Sequence, residues 1–416
     1  MVQSVSMTAS GTLTETRTPR ATAPVLHVRG ILLAALAMRA FIALALFVDH
    51  PVSALIRTRS EIFAISISLA SGHGFSSPFF TPSGPTAFLS PGYPLLVAGI
   101  FKLLGIGTAA AVTVLVLQVF LSLLIVWGVI RLACRHFGTQ VANIAGLMCA
   151  FSLPLAAGPY VVWESCLSSL LLLGFLALVP QVRTRGQWAI AGAVTALAAL
   201  VNPALLPTLV GLAFLQAVRL RRIPWMGLAV CLLLYAPWPA RNLAVMHAFI
   251  PLRSNFGYEL WMGNHPGGDG DFHQDLNPQV NSEERSQFVA LGELAFMRAK
   301  THAAEDTIRT HPGQFLLWTL RRVVRFWTGA THGMVITGAL FSLLALAGLF
   351  TAWRTHPDVR AWAIPLLLYP LPYYVTHPDA RFRYVIDPLL AILAAYAIHL
   401  IYARLQRRQA SPQQPA

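Results

Sequence analysis

"YPLLVAGIFKLLG" (93–105) decides how this chain is laid through a bilayer. The segment is apolar, yet its thirteen residues fall short of the roughly 20 that a spanning helix needs, it begins just after Pro91, and it carries Lys102. It therefore reads as an interfacial or re-entrant helix. That reading fixes the parity of everything after it. Arg131/Arg135, Arg183/Arg185, Arg219/Arg221/Arg222, Arg354/Arg360 and Arg404/Arg407/Arg408 then fall on alternate turns, on the side of the arginine-bearing N-terminal tail. The turns at 158–164 and 202–203 carry no cation. Cationic loops stay in the cytoplasm, so both termini are expected there. Were 93–105 to cross, nearly every arginine cluster would move outside.

Composition places the chain in a membrane to begin with. Of 416 residues 56% are hydrophobic and only 11% charged, against roughly 25% charged in a soluble domain, and mean hydropathy is +0.61. The net charge of +14 is carried by arginine, with Lys102 and Lys300 the only lysines. These arginines punctuate apolar runs instead of forming a patch, which reads as topology and excludes nucleic acid as a partner. Cys134, Cys149, Cys166 and Cys231 show neither metal-ligand spacing nor a disulfide framework and read as small core residues. No cleavable signal pattern precedes the first span, which is expected to be retained as an anchor.

Apolar runs near 30–48, 109–130, 141–157, 165–181, 187–201, 204–218, 225–238, 332–353, 361–375 and 386–403 predict an all-α polytopic protein with about ten transmembrane helices. The expected organisation is a disordered cytoplasmic tail over 1–28 and an N-terminal transmembrane module over 29–238 that includes a first outer loop at 49–108. A large outer loop with amphipathic helices near 284–300 and 313–327 follows over 239–330, then C-terminal spans over 331–404 and a tail over 405–416.

Several charges need an explanation beyond topology, because an ionisable group at membrane depth is costly without a partner or a task. Arg39 sits mid-span, either paired with a neighbouring helix or touching a lipid phosphate. Glu61 is the only carboxylate between Asp49 and Glu164, beside Arg57 and Arg59. Glu164 follows "YVVW" at the start of another span. "THPDARFRYVIDPLL" (376–390) places Asp379, Arg381, Arg383, Tyr384 and Asp387 at an outer membrane edge, against the charge bias. A guanidinium there suits a phosphate, while a local ion-pair set closing a helix end explains it equally. Asp269 and Asp271 in "GGDGDF" form an Asp-x-Asp pair that reads first as a glycine-rich turn, and His265 and His377 read as incidental. No phosphate-binding glycine loop is present.

In order along the chain, four stretches resemble the GT-C superfamily of membrane glycosyltransferases, in particular relatives of bacterial protein mannosyltransferases and of the lipid A aminoarabinose transferase. They are "SEIFAISISLASGHGFSSPFFTPSGPTAFLSPGYPLLVAGIFKLLG", "VVWESCLSSLLLLGFLAL", "APWPARNLAVMHAFIPLRSNFGYELWMGNHPGGDGDF" and "DARFRYVIDPLLAILAAYA". One departure stands out: where such proteins commonly carry an acidic residue about three positions before Glu61, this chain reads "RTRS".

The resemblance implies transfer of a sugar from a polyprenyl-phosphate carrier, with inversion, at the outer face of the cytoplasmic (inner) membrane. The acceptor would be a protein, lipid A or a cell-envelope polysaccharide. Glu61 would be the general base, with Glu164 as a second catalytic carboxylate. Arg381, Arg383, Tyr384 and Arg241 would hold the lipid phosphate, supported by Arg57, Arg59, Asp379, Asp387 and Asn264. The flanking arginines are expected to keep Glu61 ionised; the alternative is an ion pair that fastens its helix to the membrane. The sequence requires no cofactor and leaves a divalent metal open. Two other classes remain, a flippase for lipid-linked glycans and an inactive relative serving as an assembly partner.

Overall fold

A computed structural model describes residues 26–48, 52, 60–329 and 335–410. Most of the N-terminal tail, Arg57 and Arg59 lie outside these residues. The described chain is helical throughout, with no strand and a single isolated bridge between Ser76 and Pro85. Six helices are long and apolar enough to cross a membrane: Val28–Phe47, Thr108–Phe137, Pro203–Leu220, Trp225–Met246, Val335–Thr355 and Asp387–Gln409. The run expected at 141–157 is a pair, Thr139–Phe151 and Leu153–Tyr160, bent by 61°. Ser165–Gln181 and Arg185–Val201 are shorter apolar helices. The run at 361–375 is not one helix but Pro357–Trp362, Ala363–Leu368 and Leu371–Val375. Pro365, Pro370 and Pro372 crowd the segment, and each removes a backbone donor and restricts the turn before it.

Two hydrophobic clusters organise the molecule. The larger joins the long helices around the C-terminal helix, whose Leu389 to Ala395 are all completely buried. Small residues let it sit there: a Cβ on Gly348 would overlap the carbonyl of Leu393, so Val335–Thr355 approaches to backbone contact. The smaller cluster lies between the two loops. It packs Glu61–Ala70 and Gly92–Leu104 from the first loop against Phe256–Asn264, Ser282–Leu291 and Glu293–Thr310 from the large one, through Phe63, Phe79, Phe88, Tyr258, Phe288 and Phe296. Gly92–Leu104 is the segment quoted at the outset. It is a helix of 13 residues, about 20 Å long, with Tyr93, Val97 and Phe101 buried in this loop cluster.

Several arginine-bearing turns meet one another. Phe137 stacks on Tyr396 at 4.3 Å and meets His356 at 5.0 Å. Arg135 reaches the carbonyl of Ala177, and Gln216 donates to the carbonyl of Val182 at 3.2 Å.

Arg39 is explained by the bend. Where Thr139–Phe151 breaks before Pro154, carbonyls lose their helical partners. The buried guanidinium of Arg39 donates to Ala150 O at 3.5 Å and Leu155 O at 3.3 Å, as well as to Ser122 Oγ at 2.7 Å. It is a structural cation, satisfied by protein.

Two further groups lock the loops together. Glu293 accepts hydrogen bonds from Thr86 Oγ1, from Ala87 N at 2.8 Å and from Ser254 Oγ at 2.7 Å. Arg241 donates to the carbonyls of Thr86 and Phe75, each at 2.7 Å, and lies over the ring of Trp238. Replacing Glu293 by alanine orphans buried donors, each of which costs about 1–3 kcal/mol. The Glu293→Ala protein is therefore expected to denature at a lower temperature in detergent than the wild type, as followed by near-ultraviolet circular dichroism. An unchanged denaturation temperature would show that the loops are held by apolar packing alone.

Candidate active site

A cavity of about 610 Å³ lies where the loop cluster meets the ends of the long helices. Its walls come from the first loop, the 160–164 turn, the start of Pro203–Leu220, the large loop and the segment 372–382. Glu61, Glu164, Asp379 and Arg381 all line it. Arg383, Tyr384, Arg241, Asp387 and Asn264 do not.

Glu61 opens helix Glu61–Ala70, where free backbone N–H groups favour an acidic side chain. Its Oε1 accepts from Asn277 Nδ2 at 3.3 Å. Burial pushes its carboxyl above the ordinary range and nearby Glu259 adds to this, although Arg381 and Asn277 oppose it. The expectation of an ionised Glu61 maintained by Arg57 and Arg59 falls outside the described residues. The cation that faces it from within them is Arg381.

Glu164 precedes helix Ser165–Leu178 and pairs with Arg253 Nη2 at 3.1 Å. Arg253 also donates to Ser90 Oγ at 3.0 Å and Val201 O at 3.2 Å. Glu164 is thus neutralised by a cation that also pins the lead-in to Gly92–Leu104.

Asp379 caps the short helix Ala380–Tyr384, accepting from Arg381 N at 2.9 Å, and its second oxygen lies 3.5 Å from Arg381 Nε. The Arg381 guanidinium lies over Trp163, 4.3 Å from the ring centroid. Its two Nη groups make no hydrogen bond among the described residues. Burial alone would lower its pKa, but Asp379, Glu259, Glu61 and Glu164 together carry it upward. This arginine remains charged, and its donors are available to a ligand.

Arg383 corrects the expectation of an arginine pair. Residues two apart on a helix face nearly opposite directions, so Arg383 turns away from the cavity. It is buried, bonded to Asp387 Oδ1 at 2.9 Å, Trp327 O at 2.6 Å and Ser342 Oγ at 3.0 Å. Asp387 is its counter-ion and has no place in the cavity. Tyr384 is buried under Gly158, where a Cβ would collide with its ring, and meets Cys166 Sγ at 3.3 Å. Arg241 clamps the first loop, as described above. Asn264 is buried, donating to Leu260 O and Val375 O and accepting from Arg322. Each of these groups is satisfied by protein and closes off a helix end or a loop.

The Asp-x-Asp pair diverges in the same way. Asp269 takes His273 Nε2 at 2.8 Å, while Asp271 pairs with Arg325. Among the described residues no three His, Cys, Asp or Glu side chains are grouped to hold a metal ion. His265 lies outside the cavity, its Nδ1 3.0 Å from Pro266 O.

The structure also brings in Arg253, Glu259 and Asn277, which sequence reasoning passed over, and His377, which it read as incidental and which pairs with Glu259 in the cavity wall. Glu259, on Phe256–Asn264, is 2.8 Å from His377 Nε2 and accepts from Asn255 Nδ2 at 2.8 Å. Gly263 makes the pairing possible. A Cβ there would overlap the carbonyl of Thr376, so only glycine lets this helix lie against the strip that carries His377. Burial acts to raise the Glu259 carboxyl, but the hydrogen bond and charge of His377, with Arg381 and Arg253, bring it below the ordinary range.

No protein-family model and no curated protein sequence matches the chain. Among solved structures it is similar to the apo form of the Archaeoglobus fulgidus oligosaccharyltransferase. That match has a TM-score of 0.50 and 15% identity, over 92% of this chain and 51% of that one. A structure of the archaeal oligosaccharyltransferase AglB from Archaeoglobus fulgidus, in complex with an inhibitory peptide and a dolichol-phosphate, matches with a TM-score of 0.44 and 13% identity, over 94% and 52%. ArnT from Cupriavidus metallidurans, bound to undecaprenyl phosphate, matches with a TM-score of 0.41 and 14% identity, over 93% and 81%. The chain spans about half the length of the oligosaccharyltransferase. At these identities the likeness is one of fold alone.

The two arginines of "RFR" should separate cleanly on mutation. Arg383→Ala leaves Asp387 as an uncompensated buried charge, a loss of about 3–5 kcal/mol, and is expected to lower the denaturation temperature markedly. Arg381→Ala removes a group that faces the cavity and is expected to denature near the wild-type temperature. Equal destabilisation by both would contradict the assignment.

Proposed function

We propose that the cavity transfers a sugar from a polyprenyl-phosphate carrier to an acceptor hydroxyl, at the outer leaflet of the cytoplasmic membrane. The observation that carries this reading is the juxtaposition of Glu61 with Arg381, a cation whose Nη donors are unengaged, in one cavity that reaches from the loops to the start of a membrane helix. A lipid-linked donor needs such a junction. Its phosphate and sugar belong among polar loop residues, and its chain belongs along apolar helix ends such as Val161, Ala204 and Pro207.

The acceptor oxygen attacks the anomeric carbon and its proton passes to Glu61. The bond from that carbon to the phosphate oxygen breaks, and the electron pair leaves with the lipid phosphate. A single displacement of this kind inverts the anomeric centre. Arg381 meets the developing charge with donors that are already oriented. The energy resides in the donor bond, so the reaction needs no nucleotide site. A base serves best when its pKa lies near the working pH, and burial moves Glu61 in that direction. The acceptor is a hydroxyl of a protein, of lipid A or of an envelope polysaccharide. The flippase alternative is weakened by Arg39, the clearest mid-span candidate for a transport path, because it donates to protein carbonyls.

Reconstitution with a panel of polyprenyl-phosphate sugars, with mass spectrometry of what gains a hexose or pentose, tests the proposal. Glu61→Gln is expected to lower transfer by about 10²–10⁴-fold while insertion and expression stay normal. Full activity in that variant removes Glu61 from the mechanism, and lipid flipping without transfer would favour a transporter. The pH dependence carries a sign as well. The base must be ionised and its pKa is raised, so the rate should fall as the medium is acidified through a value above the ordinary glutamate pKa of about 4.3. An acid limb at or below that value would count against Glu61.

A further inference from the structure

Glu259 and His377 form a second polar centre in the cavity that the transfer step above does not use. Glu259 Oε1 accepts from Asn255 and Oε2 from His377, each at 2.8 Å. An ionised carboxylate has about four lone-pair sites, so one on each oxygen remains after these two contacts. The side chain is 30% exposed, and it lines the cavity. Behind it, His377 is only 1% exposed and packs against Phe272 at 4.9 Å and Phe382 at 5.7 Å. Phe382 is in turn stacked on Tyr373 at 4.1 Å. The carboxylate is therefore held through one oxygen by Asn255 and through the other by the packed His377 ring, and Phe272, Tyr373 and Phe382 also line the cavity.

The remaining cavity carboxylates are engaged differently. Glu164 is paired with Arg253, and Asp379 caps its helix and holds Arg381. Glu61 has one neutral contact and is shifted toward its protonated form. Glu259 is shifted the other way, which makes it a weak proton acceptor near neutrality but a permanent acceptor of hydrogen bonds. Such a group, with a lone pair open on each oxygen and with Phe272, Tyr373 and Phe382 lining the same cavity, suits a carbohydrate ring that offers hydroxyls at its edge and C–H groups on its face.

Building on the lipid-linked donor reading, we propose that Glu259, oriented by His377 and Asn255, recognises the transferred sugar by accepting hydrogen bonds from two neighbouring hydroxyls. The donor class is then a polyprenyl-phosphate sugar with a free vicinal diol. Glu259 sets specificity by direct contact; His377 is a positioning residue.

The test uses the full chain in nanodiscs and three probes: polyprenyl phosphate without a sugar, a polyprenyl-phosphate hexose with its diol free, and the same donor with one of those hydroxyls removed. Tryptophan fluorescence reports binding, since Trp163 lies under Arg381, and transfer is measured alongside. Glu259→Gln is expected to raise KM for the diol donor by about 10–100-fold, as for loss of charged hydrogen bonds, with kcat changed by less than about threefold. It should bind bare polyprenyl phosphate like the wild type and no longer distinguish the diol donor from the deoxy one. His377→Gln, which keeps a donor for Glu259, should stay near wild type, whereas His377→Ala should reproduce part of the Glu259→Gln loss. Unchanged discrimination in Glu259→Gln overturns the assignment and leaves the transferase reading standing, and so does an equal loss of bare-lipid binding, which would mean that the cavity has collapsed. A wild type that binds none of the three lipids overturns both.

Discussion

Glu293 takes three hydrogen bonds, from Thr86, Ala87 and Ser254, and with them the first loop is fixed to the large loop. Arg241 secures the same turn from the other side through the carbonyls of Thr86 and Phe75. These two charged groups do what a sheet or disulfide does elsewhere: they set the position of a loop that has little regular structure of its own. Glu61 lies on the helix this loop leads out of, and Asn277 and Glu259 belong to the loop it is fastened against. The cavity therefore exists only because the two loops are joined.

The same economy governs the arginines. In an apolar chain every buried guanidinium must find acceptors, since leaving a charge unpaired is far costlier than pairing it. Arg39 finds them at a helix break, Arg322 at Gly270, Val375 and Asn264, and Arg383 at Asp387 and the end of Pro312–Thr328. Burial lowers Arg322 to about 10, with Asp271 opposing. Against this background Arg381 is distinct. Its charge is matched by carboxylates around a cavity and its terminal donors are left open.

Much of the architecture was legible in the sequence. Apolar runs located the long helices because bilayer thickness sets their length. The segment 93–105 forms a 13-residue helix packed in the loop cluster. The site was legible only in part. Glu61, Glu164, Asp379 and Arg381 stood out as charges with no reason to be in apolar surroundings, and the cavity collects all four. Glu259 did not stand out and His377 read as incidental, because they lie in polar loop segments where an acid and a histidine are unremarkable on their own.

Composition and periodicity by themselves determined that this chain is helical and that it is a membrane protein. Those properties follow from the energy of transferring each residue into lipid, which depends on that residue and its neighbours in sequence. What only the tertiary structure decided is which charges are free. Arg381 and Arg383 are two residues apart and chemically identical, yet one faces a cavity and the other closes a helix end. The difference comes from helical geometry and from what each side chain meets across the fold. Glu259 meets His377, 118 residues away, because Gly263 lacks a side chain where the backbone of Thr376 passes.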